Sequence, residues 1–296
     1  MATKRDTGSR VFQIWGYLTI SIISLCCVLP FLLVISASFT DEGSIIRSGY
    51  HLIPKVFSVK AYEYVFRSPV FILQAYMVTI SLVVIGTTLH LLINSMAAYA
   101  ISRQDFRYRN YVAFYLYFTT IFAGGLVPWY ILCVRYLQLQ DTYTILLISN
   151  VVSVFYLLLM RNFMKNIPES IIESAKMDGA GEFRIYWDLI LPLSLPSVVT
   201  IGLLIGLAYW NEWYMARLFI SNHKLYPLQY LLYQIINSAE YINMAIARGA
   251  RISSIQAPRE SIKMATAVIV TGPIIFVYPF LQKYFVKGLT IGAIKG

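Results

Sequence analysis

The chain has 296 residues, of which 58% are hydrophobic and only 13% are charged. A soluble globular domain carries about 25% charged residues, so this composition excludes an ordinary soluble protein and indicates a membrane protein. The net charge is +10, but the 24 basic residues are scattered between hydrophobic segments and form no contiguous patch, which argues against nucleic-acid binding.

Six stretches of the sequence contain no Asp, Glu, Lys or Arg. They cover residues 11–40, 68–102, 110–134, 142–160, 189–211 and 264–282. A membrane-spanning helix needs about 20 apolar residues, and a charge at its centre costs about 2.5–3.5 kcal/mol. The sequence therefore predicts an all-α membrane protein with six transmembrane helices.

The first stretch predicts an uncleaved helix, because its apolar run is longer than the roughly 7–15 residues of a signal-peptide core and no cleavage site follows it. The segment 41–67 that follows is expected to form a short helical connection. Cys26, Cys27 and Cys133 all lie in apolar runs. There they are interpreted as small packing residues and not as a disulfide or zinc framework.

The next three stretches carry polar or helix-breaking residues. His90 and Asn94 interrupt the apolar sequence of the second stretch. Two glycines and a proline in 124–128 predict a break in the third helix, near its outer end. The fourth helix is predicted to contain Asn150 and to end at Arg161.

A polar segment at 166–192 separates the fourth and fifth stretches. Pro168 suits the first turn of a helix, with Asn166 as its N-cap, and Gly179 and Gly181 are expected to end that helix. Apolar residues fall on one side of it and charged residues on the other. The pattern therefore predicts a short amphipathic helix at the membrane surface.

The fifth helix is expected to begin at about Leu189, with Pro192 in its first turn. The long loop 212–263 contains the apolar run 225–239, which includes a proline and a glutamine. We expect this run to form a surface helix and not a seventh span. The sixth helix is predicted over 264–286.

The short loops orient the protein, because short loops rich in Lys and Arg face the cytoplasm. The N-terminus and the loop 102–110 are basic, whereas the loop 135–143 carries only one arginine. This pattern predicts that both termini and the segment 166–192 are cytoplasmic. The long loops 41–67 and 212–263 are then outside.

The segment 166–192 resembles the EAA loop of ABC importer permeases, which reads Glu-Ala-Ala, three residues, Gly, and later Ile-x-x-Pro or Ile-Leu-Pro. Ser174 replaces the first alanine. The matching residues are Glu173, Ala175, Asp178, Gly179, Ala180, Ile190 and Pro192. The resemblance implies the type I ABC importer permease fold, in which this loop is a cytoplasmic coupling helix that docks on an ATPase.

The resemblance also implies the residues and partners of the coupling step. The residues expected to couple to the ATPase are Glu173, Ala175, Lys176, Asp178, Gly179, Ala180, Ile190 and Pro192. The chain would bind no cofactor, since ATP and magnesium would be bound by the partner ATPase. The expected partners are two ATPase copies, a second homologous permease, an extracellular solute-binding protein, an oligosaccharide and the lipid bilayer of the bacterial plasma membrane.

From about residue 70 onward, the chain resembles MalG-type permeases of oligosaccharide importers, and within these the LplC-like branch for polysaccharide fragments. The motifs that carry this resemblance are 124–128, 161–163, 210–213, 278–279 and 287–296. The resemblance divides the chain into an N-terminal helix and outer segment, a permease domain with the EAA loop, and a cytoplasmic tail that is expected to reach the ATPases. These parts are 1–69, 70–287 and 288–296.

Polar and aromatic residues in or next to the spans are candidates for a sugar path, because intramembrane polar groups are often functional. These candidates are Asn94, Asn150, Tyr209, Trp210 and Asn211. The alternative interpretation is hydrogen bonding between helices for the asparagines and interfacial anchoring for the tryptophan. His51 and His223 lack the spacing of a metal site.

Two other functions would need different residues. A secondary carrier or channel for small organic solutes usually has intramembrane acidic groups or broken half-helices, and the six apolar stretches contain no acidic or basic residue. An intramembrane enzyme would need a nucleophile, paired aspartates or zinc ligands, and none of these motifs occurs. The chain also lacks a phosphate-binding Gly-Lys-Ser/Thr loop, so it is predicted to be a transport subunit and not an enzyme.

Overall fold

The computed structural model describes residues 7–67, 69–247 and 260–293. Within these residues, all regular secondary structure is helical, apart from one isolated bridge between Thr40 and Phe57. The predicted all-α class is therefore confirmed.

The described residues form two compact units. The first contains the chain up to Pro69 and the described residues of 234–272, and the second contains 70–233 and the described residues from Pro273 onward. The first unit begins with three helices: α1, Thr7–Ser38, α2, Glu42–Ser48, and α3, Lys60–Val65. Most apolar side chains of α1 are exposed, as expected for a helix that contacts lipid. The two short helices match the expected helical connection.

The second predicted span is one long helical stretch. The helix α4, Pro69–Ser81, continues through a π-helical turn, Leu82–Gly86, into α5, Thr87–Ser102. At the end of the π turn, Gly86 lies so close to the ring of Tyr209 that a Cβ atom would clash with it. Small residues at such contacts allow membrane helices to approach closely.

The third predicted span is broken. The helix α6, Arg109–Ile121, is bent by 105° relative to the segment Leu126–Tyr136. This segment consists of α7, Leu126–Ile131, and a π-helical turn, Leu132–Tyr136. Gly125 lies between α6 and α7 with a φ angle of 89°, which favours glycine over all other residues. The break predicted at 124–128 is therefore confirmed.

The fourth predicted span is not one helix. It consists of α8, Tyr143–Ile148, and α9, Val154–Met164, with turn and extended backbone at 149–153. The prediction of a continuous helix over 142–160 is therefore wrong. Side chains from α5 bond to carbonyl groups in the interruption, so the backbone can leave the helix there without losing its hydrogen-bond partners.

The polar segment and the fifth span contain four helices: α10, Glu169–Met177, α11, Glu182–Ile185, α12, Leu191–Leu193, and α13, Leu195–Trp210. A π-helical turn, Tyr186–Ile190, joins α11 to α12. The two helical segments on either side of Ser194 are bent by 80°. The expected start at Leu189 thus lies inside a helical segment, and α13 itself begins after the bend. Pro196 lies in the first turn of α13, where the missing N–H group of proline costs no hydrogen bond.

The remaining described helices are α14, Tyr214–Phe219, α15, Leu228–Ala247, and α16, Glu260–Ala293. The helix α15 contains most of the expected surface helix and continues past its predicted end. The helix α16 contains the whole predicted sixth span and continues into the predicted tail, whose last residues, 294–296, lie outside the described residues. The carboxylate of Glu42 caps α16 by accepting hydrogen bonds from the N–H groups of Glu260 and Ser261, at 3.0 and 2.9 Å.

Three helical segments among the described residues are long and apolar enough to cross a membrane: Phe12–Ser38, Pro69–Ser102 and Glu260–Val277. The number rises to five if each bent pair forms one span. The pair α8 and α9 is not among these segments, so the count of six spans stays a prediction.

The core of the second unit is built around α5. This helix packs against α9 and α13, and the buried side chains Met160, Ile201, Ile205 and Tyr209 fill the space between them. The polar segment 166–192 follows α9 and precedes α13, so both of its ends are fixed in this core.

Candidate functional site

The helix α10 begins directly after Pro168, whose φ angle of −58° suits a helix start. Asn166 does not cap it. The Asn166 amide instead donates a hydrogen bond of 3.1 Å to the carbonyl oxygen of Asn162, so the predicted N-cap is wrong. Glu169 occupies the first turn, where a negative charge is favourable.

The end of α10 is set by Gly179, which has a φ angle of 79°. Its N–H group donates to the carbonyl oxygen of Lys176 at 3.0 Å, and the N–H group of Ala180 donates to that of Ala175 at 2.9 Å. This pair of bonds is the Schellman arrangement, in which glycine is favoured because it adopts the left-handed conformation without strain. The predicted helix stop at Gly179 is confirmed.

The predicted coupling residues divide between two faces. Ile190 is buried, and Ala175 and Ala180 are half-buried against the core of the second unit. The remaining predicted residues are exposed: Glu173, Lys176, Asp178, Gly179 and Pro192. Four of these five exposed residues therefore lie in α10 or in the turn directly after it. Pro192 lies apart from them, in α12.

Two large apolar side chains also project from this surface. Met177 is 83% exposed at the end of α10, and Phe183 is 65% exposed in α11. Neither residue is among the predicted coupling residues, although they lie on either side of the glycine-containing turn. An exposed apolar pair beside charged residues is a typical composition for a protein-contact surface.

Lys176 is held by two carboxylates of the same chain. Its Nζ atom lies 2.8 Å from Asp105 Oδ2 and 2.7 Å from Glu182 Oε1. Arg103 is buried and donates to the same Asp105 oxygen at 2.8 Å, while its other Nη atom lies 3.9 Å from Glu169 Oε1. We name these five residues the ionic cluster. It connects α10 and α11 to the end of α5.

Three residues of the ionic cluster have pKa values that are shifted in favour of their charged forms. Hydrogen bonds from Lys176 and Arg103 lower the pKa of Asp105 to about 2. Hydrogen bonds to Asp105 and Glu182 raise the pKa of Lys176. Burial acts to raise the pKa of Glu182, but hydrogen bonds from Lys176 and Tyr99 outweigh it, so this pKa is lowered.

Hydrogen bonds from hydroxyl groups support the same connection. Tyr99 on α5 donates to Glu182 Oε2 at 2.6 Å, and the hydroxyl groups of Ser95 on α5 and Tyr186 lie 2.6 Å apart. Both tyrosines are buried. These contacts could not be predicted, because nothing local in the sequence indicates that α5 and the polar segment meet.

Two candidates for the sugar path support the packing of the helices. Asn94 is buried and its amide donates to the carbonyl oxygens of His90 and Val151, each at 2.8 Å. Tyr209 is also buried, and its hydroxyl group donates to the carbonyl oxygen of Leu147 at 2.8 Å. Asn94 thus joins α5 to the interruption between α8 and α9, and Tyr209 joins α13 to α8.

The other three candidates are more accessible but do not converge. Asn150 is half-buried and donates to Glu212 at 3.1 Å, whereas Asn211 is exposed and accepts from Gln229 at 3.1 Å. Trp210 lines a mostly apolar cleft of about 460 Å³, and its Nε1 atom has no hydrogen-bond partner among the described residues. The structure thus brings Asn94 and Asn150 to the interruption between α8 and α9, and places Trp210 in a separate cleft.

The described residues contain no group of three or more His, Cys, Asp or Glu side chains that could hold a metal ion. His51 and His223 are among these described residues. The predicted absence of a metal site on these residues remains a sequence-based expectation.

Comparisons with known proteins identify the family. Residues 96–291 match the family described as binding-protein-dependent transport system inner membrane component. The chain is 37% identical to the polygalacturonan/rhamnogalacturonan transport system permease protein YtcP of Bacillus subtilis, over 97% of this chain and 99% of that protein. It is 35% identical to protein LplC of the same organism, over 98% of this chain and 96% of that protein.

A solved structure has the same fold. It is a bacterial ABC transporter involved in the import of the acidic polysaccharide alginate, and one of its chains superposes with a TM-score of 0.81 at 29% identity. The match covers 95% of this chain and 98% of that one. Proteins of this family are multi-pass components of the plasma membrane. They work with an ATPase, a second permease and a solute-binding protein, and ATP is hydrolysed by the ATPase. The chain belongs to the family of binding-protein-dependent transport system inner membrane components and is a permease subunit of an ABC importer.

Proposed function

We propose that this permease subunit helps to import oligosaccharides released from polysaccharides, and that fragments containing uronic acids are its first candidates. The observation that carries this proposal is similarity over nearly the whole chain to a polygalacturonan/rhamnogalacturonan permease and to an importer of alginate. Both names refer to polymers rich in carboxylate groups. A shared fold and length alone would support only the transporter class.

The proposed coupling surface is the exposed end of α10 with the turn that follows it. Glu173 and Asp178 provide charge there, and Met177 provides apolar area. Gly179 permits the sharp turn that exposes these residues. We expect this surface to dock on the ATPase, while Ala175 packs inward and Lys176 holds α10 to its own chain.

The ionic cluster gives the coupling surface a direct connection to a membrane span. A displacement of α10 by the ATPase acts on Asp105 through Lys176, and on Tyr99 through Glu182. Both receiving residues lie at the end of α5, which packs on α9 and α13. The proposed mechanism is therefore that α10, α11 and α5 move together when the ATPase closes on ATP.

The assembly that we propose contains two ATPase copies, which bind ATP and magnesium, and one second homologous permease. The solute-binding protein delivers the sugar from the outer side, and both termini of this chain are cytoplasmic. The proposed domain division remains 1–69, 70–287 and 288–296. In the proposed sugar path, Asn150, Trp210 and Asn211 contact the sugar, while Asn94 and Tyr209 support the packing around it.

The substrate is tested with the complete transporter in vesicles, with its binding protein outside and ATP inside. We expect uptake of galacturonate oligosaccharides and competition by other acidic oligosaccharides. Neutral maltooligosaccharides of the same length are the control. Uptake of the neutral sugars with no uptake of the acidic ones would contradict the substrate class, while leaving the transporter class intact.

The coupling surface is tested with Glu173→Lys. The carboxylate of Glu173 is exposed, so reversing its charge should leave membrane insertion unchanged but lower transport per ATP hydrolysed several-fold. Glu63→Lys is a matched control, because Glu63 is also an exposed glutamate in a helix and lies in the other unit. Equal transport per ATP in both variants would refute the assignment of α10 as the coupling surface.

A further inference from the structure

Three cations converge where α5, α6 and α9 meet. Arg161 donates from Nε to the carbonyl oxygen of Ile101 at 3.0 Å, and Arg109 donates from Nη1 to that of Arg103 at 3.2 Å. The two accepting carbonyl groups are two residues apart, at and just after the end of α5, so both guanidinium groups lie near this helix end, where their charges act on each other. Lys165 lies one helical turn after Arg161 and therefore on the same face of α9.

These cations have no acidic partner among the described residues. The carboxylates nearest along the chain, Asp105 and Glu169, are engaged in the ionic cluster by Arg103 and Lys176. Partial desolvation by neighbouring atoms, together with the positive charges of Arg161 and Arg109, lowers the pKa of the Lys165 ammonium group. The charges therefore repel one another, and an anion placed between them would be stabilised.

The carbonyl groups at the end of α5 explain only part of this arrangement. A helix C-terminus carries about half a negative charge, and one cation near it is a common way to satisfy its carbonyl groups. Here two arginines use one donor atom each, which leaves the other donors of both guanidinium groups available. Lys165 is exposed, and none of the described contacts joins it to the helix end.

The positions of the cations in the sequence place them at the predicted level of the lipid headgroups. Three charge-free stretches adjoin this cluster. Arg103 follows the stretch 68–102, Arg109 precedes 110–134, and Arg161 follows 142–160. Tyr108 and Tyr111 are exposed beside Arg109, as is common for aromatic residues at a membrane interface. Basic pockets between membrane helices at this depth suit phosphate headgroups.

We propose that Arg109, Arg161 and Lys165 form a binding site for a phosphate group, and that an anionic phospholipid of the membrane supplies it. The two guanidinium groups provide paired donors, which match the oxygens of a phosphate, and the ammonium group adds a point charge. The acyl chains of the lipid then lie along the exposed apolar side of α6.

The test uses the complete transporter in nanodiscs that contain equal parts of phosphatidylglycerol and phosphatidylcholine. Native mass spectrometry measures the ratio of the two lipids that remain bound. We expect the wild type to retain phosphatidylglycerol in preference to phosphatidylcholine, and Lys165→Gln to lower this preference about 5-fold, since one cation near a membrane surface is worth about 1 kcal/mol. Arg109→Gln should act in the same direction, and Lys55→Gln is the control, because Lys55 is an exposed lysine of the other unit.

A second experiment distinguishes the binding of a lipid headgroup from the binding of free phosphate. The same transporter is stripped of lipid in detergent, and inorganic phosphate is added while its thermal stability is measured. If inorganic phosphate stabilises the wild type but not Lys165→Gln, the site binds a phosphate group, and that group is supplied from solution.

Two outcomes would overturn the proposal. One is a lipid ratio that is equal in the wild type and in both variants, with no effect of inorganic phosphate. The other is an unchanged lipid ratio together with loss of the ATPase from the Lys165→Gln complex, which would mean that the cations contact an acidic surface of the ATPase. Arg161 is kept in all variants, because its bond to Ile101 contributes to the packing of α5 on α9.

Discussion

Gly179 and Lys176 illustrate what sequence reasoning can resolve at the level of single residues. The glycine follows an amphipathic run, so a helix stop could be predicted from the local sequence, and the structure confirms it. The partner of Lys176 could not be predicted, because Asp105 is 71 residues away in the chain. Only the packing of α10 against the end of α5 brings the two side chains together.

Replacing Gly179 by alanine should strain the coupling surface. The φ angle of 79° requires the left-handed conformation, which costs an alanine about 1–2 kcal/mol, although no neighbouring atom would clash with its Cβ. We expect faster hydrogen exchange at the end of α10 and lower transport per ATP. Exchange mass spectrometry and vesicle uptake measure these two effects.

The matched control for this variant is Gly181→Ala. Gly181 has a φ angle of −73°, which any residue adopts, and it also has open space around it. Its substitution should leave exchange and transport close to wild type. Equal effects of the two substitutions would mean that the conformation of Gly179 is not the property that matters.

The ionic cluster should resist acid. The pKa of Asp105 is lowered from 3.8 to about 2, so its contribution to stability is complete above about pH 4 and is lost as the pH falls toward 2. In Lys176→Gln, the main cause of this lowering is removed, and the loss should shift to higher pH. Hydrogen exchange of α10 as a function of pH measures the shift.

Lys176→Arg is the control for this experiment, because arginine keeps the positive charge and should keep the loss at low pH. Asp105 is half exposed, so the expected change in overall stability is small. A transition at the same pH in Lys176→Gln and in the wild type would contradict the assigned role of Lys176.

At the level of secondary structure, the sequence could predict helix breaks caused by glycine or proline. It could not predict a break that depends on contacts with another helix. The third span carries its own glycines and a proline, so its break was expected and is present. The fourth span carries neither in 142–160, and its interruption depends on side chains of α5. The asparagine and histidine on α5 were noticed in the sequence, but their acceptors were unknown.

Asn94→Leu should destabilise the interruption between α8 and α9. The substitution removes the donor for the Val151 carbonyl group, and hydrogen bonds between membrane helices contribute about 0.6–1.7 kcal/mol. We expect a lower unfolding temperature in detergent. Asn110→Leu is the control, because Asn110 is exposed on α6. Equal stability of the two variants would show that the bond to Val151 contributes little.

For the whole molecule, the sequence predicted the all-α class and the transporter family, because composition and the EAA-like segment are strong signals. The number of spans is harder to predict, because bent pairs such as α6 and α7 do not resemble ideal helices. The orientation rests on the distribution of arginines in short loops, and it stays a prediction.

The orientation can be tested by cysteine labelling in a variant whose native cysteines are replaced. Met177→Cys should react with a membrane-impermeant maleimide only after the cells are opened, since the coupling surface is predicted to be cytoplasmic. His223→Cys should react in intact cells, since the loop 212–263 is predicted to be outside. Both side chains are exposed in this chain, and the cells used lack the ATPase, which is expected to cover Met177. The reverse pattern of labelling would invert the proposed topology.

The interruption between α8 and α9 has a consequence for biogenesis. Because α5 precedes α8 and α9 in the chain and is synthesised first, we expect His90 and Asn94 to be in place when the carbonyl groups of Asn150 and Val151 arrive. A chain split or permuted after α5 would present those carbonyl groups to hydrocarbon, where each unpaired group costs several kcal/mol. We therefore expect the order of synthesis to help the predicted fourth span to insert.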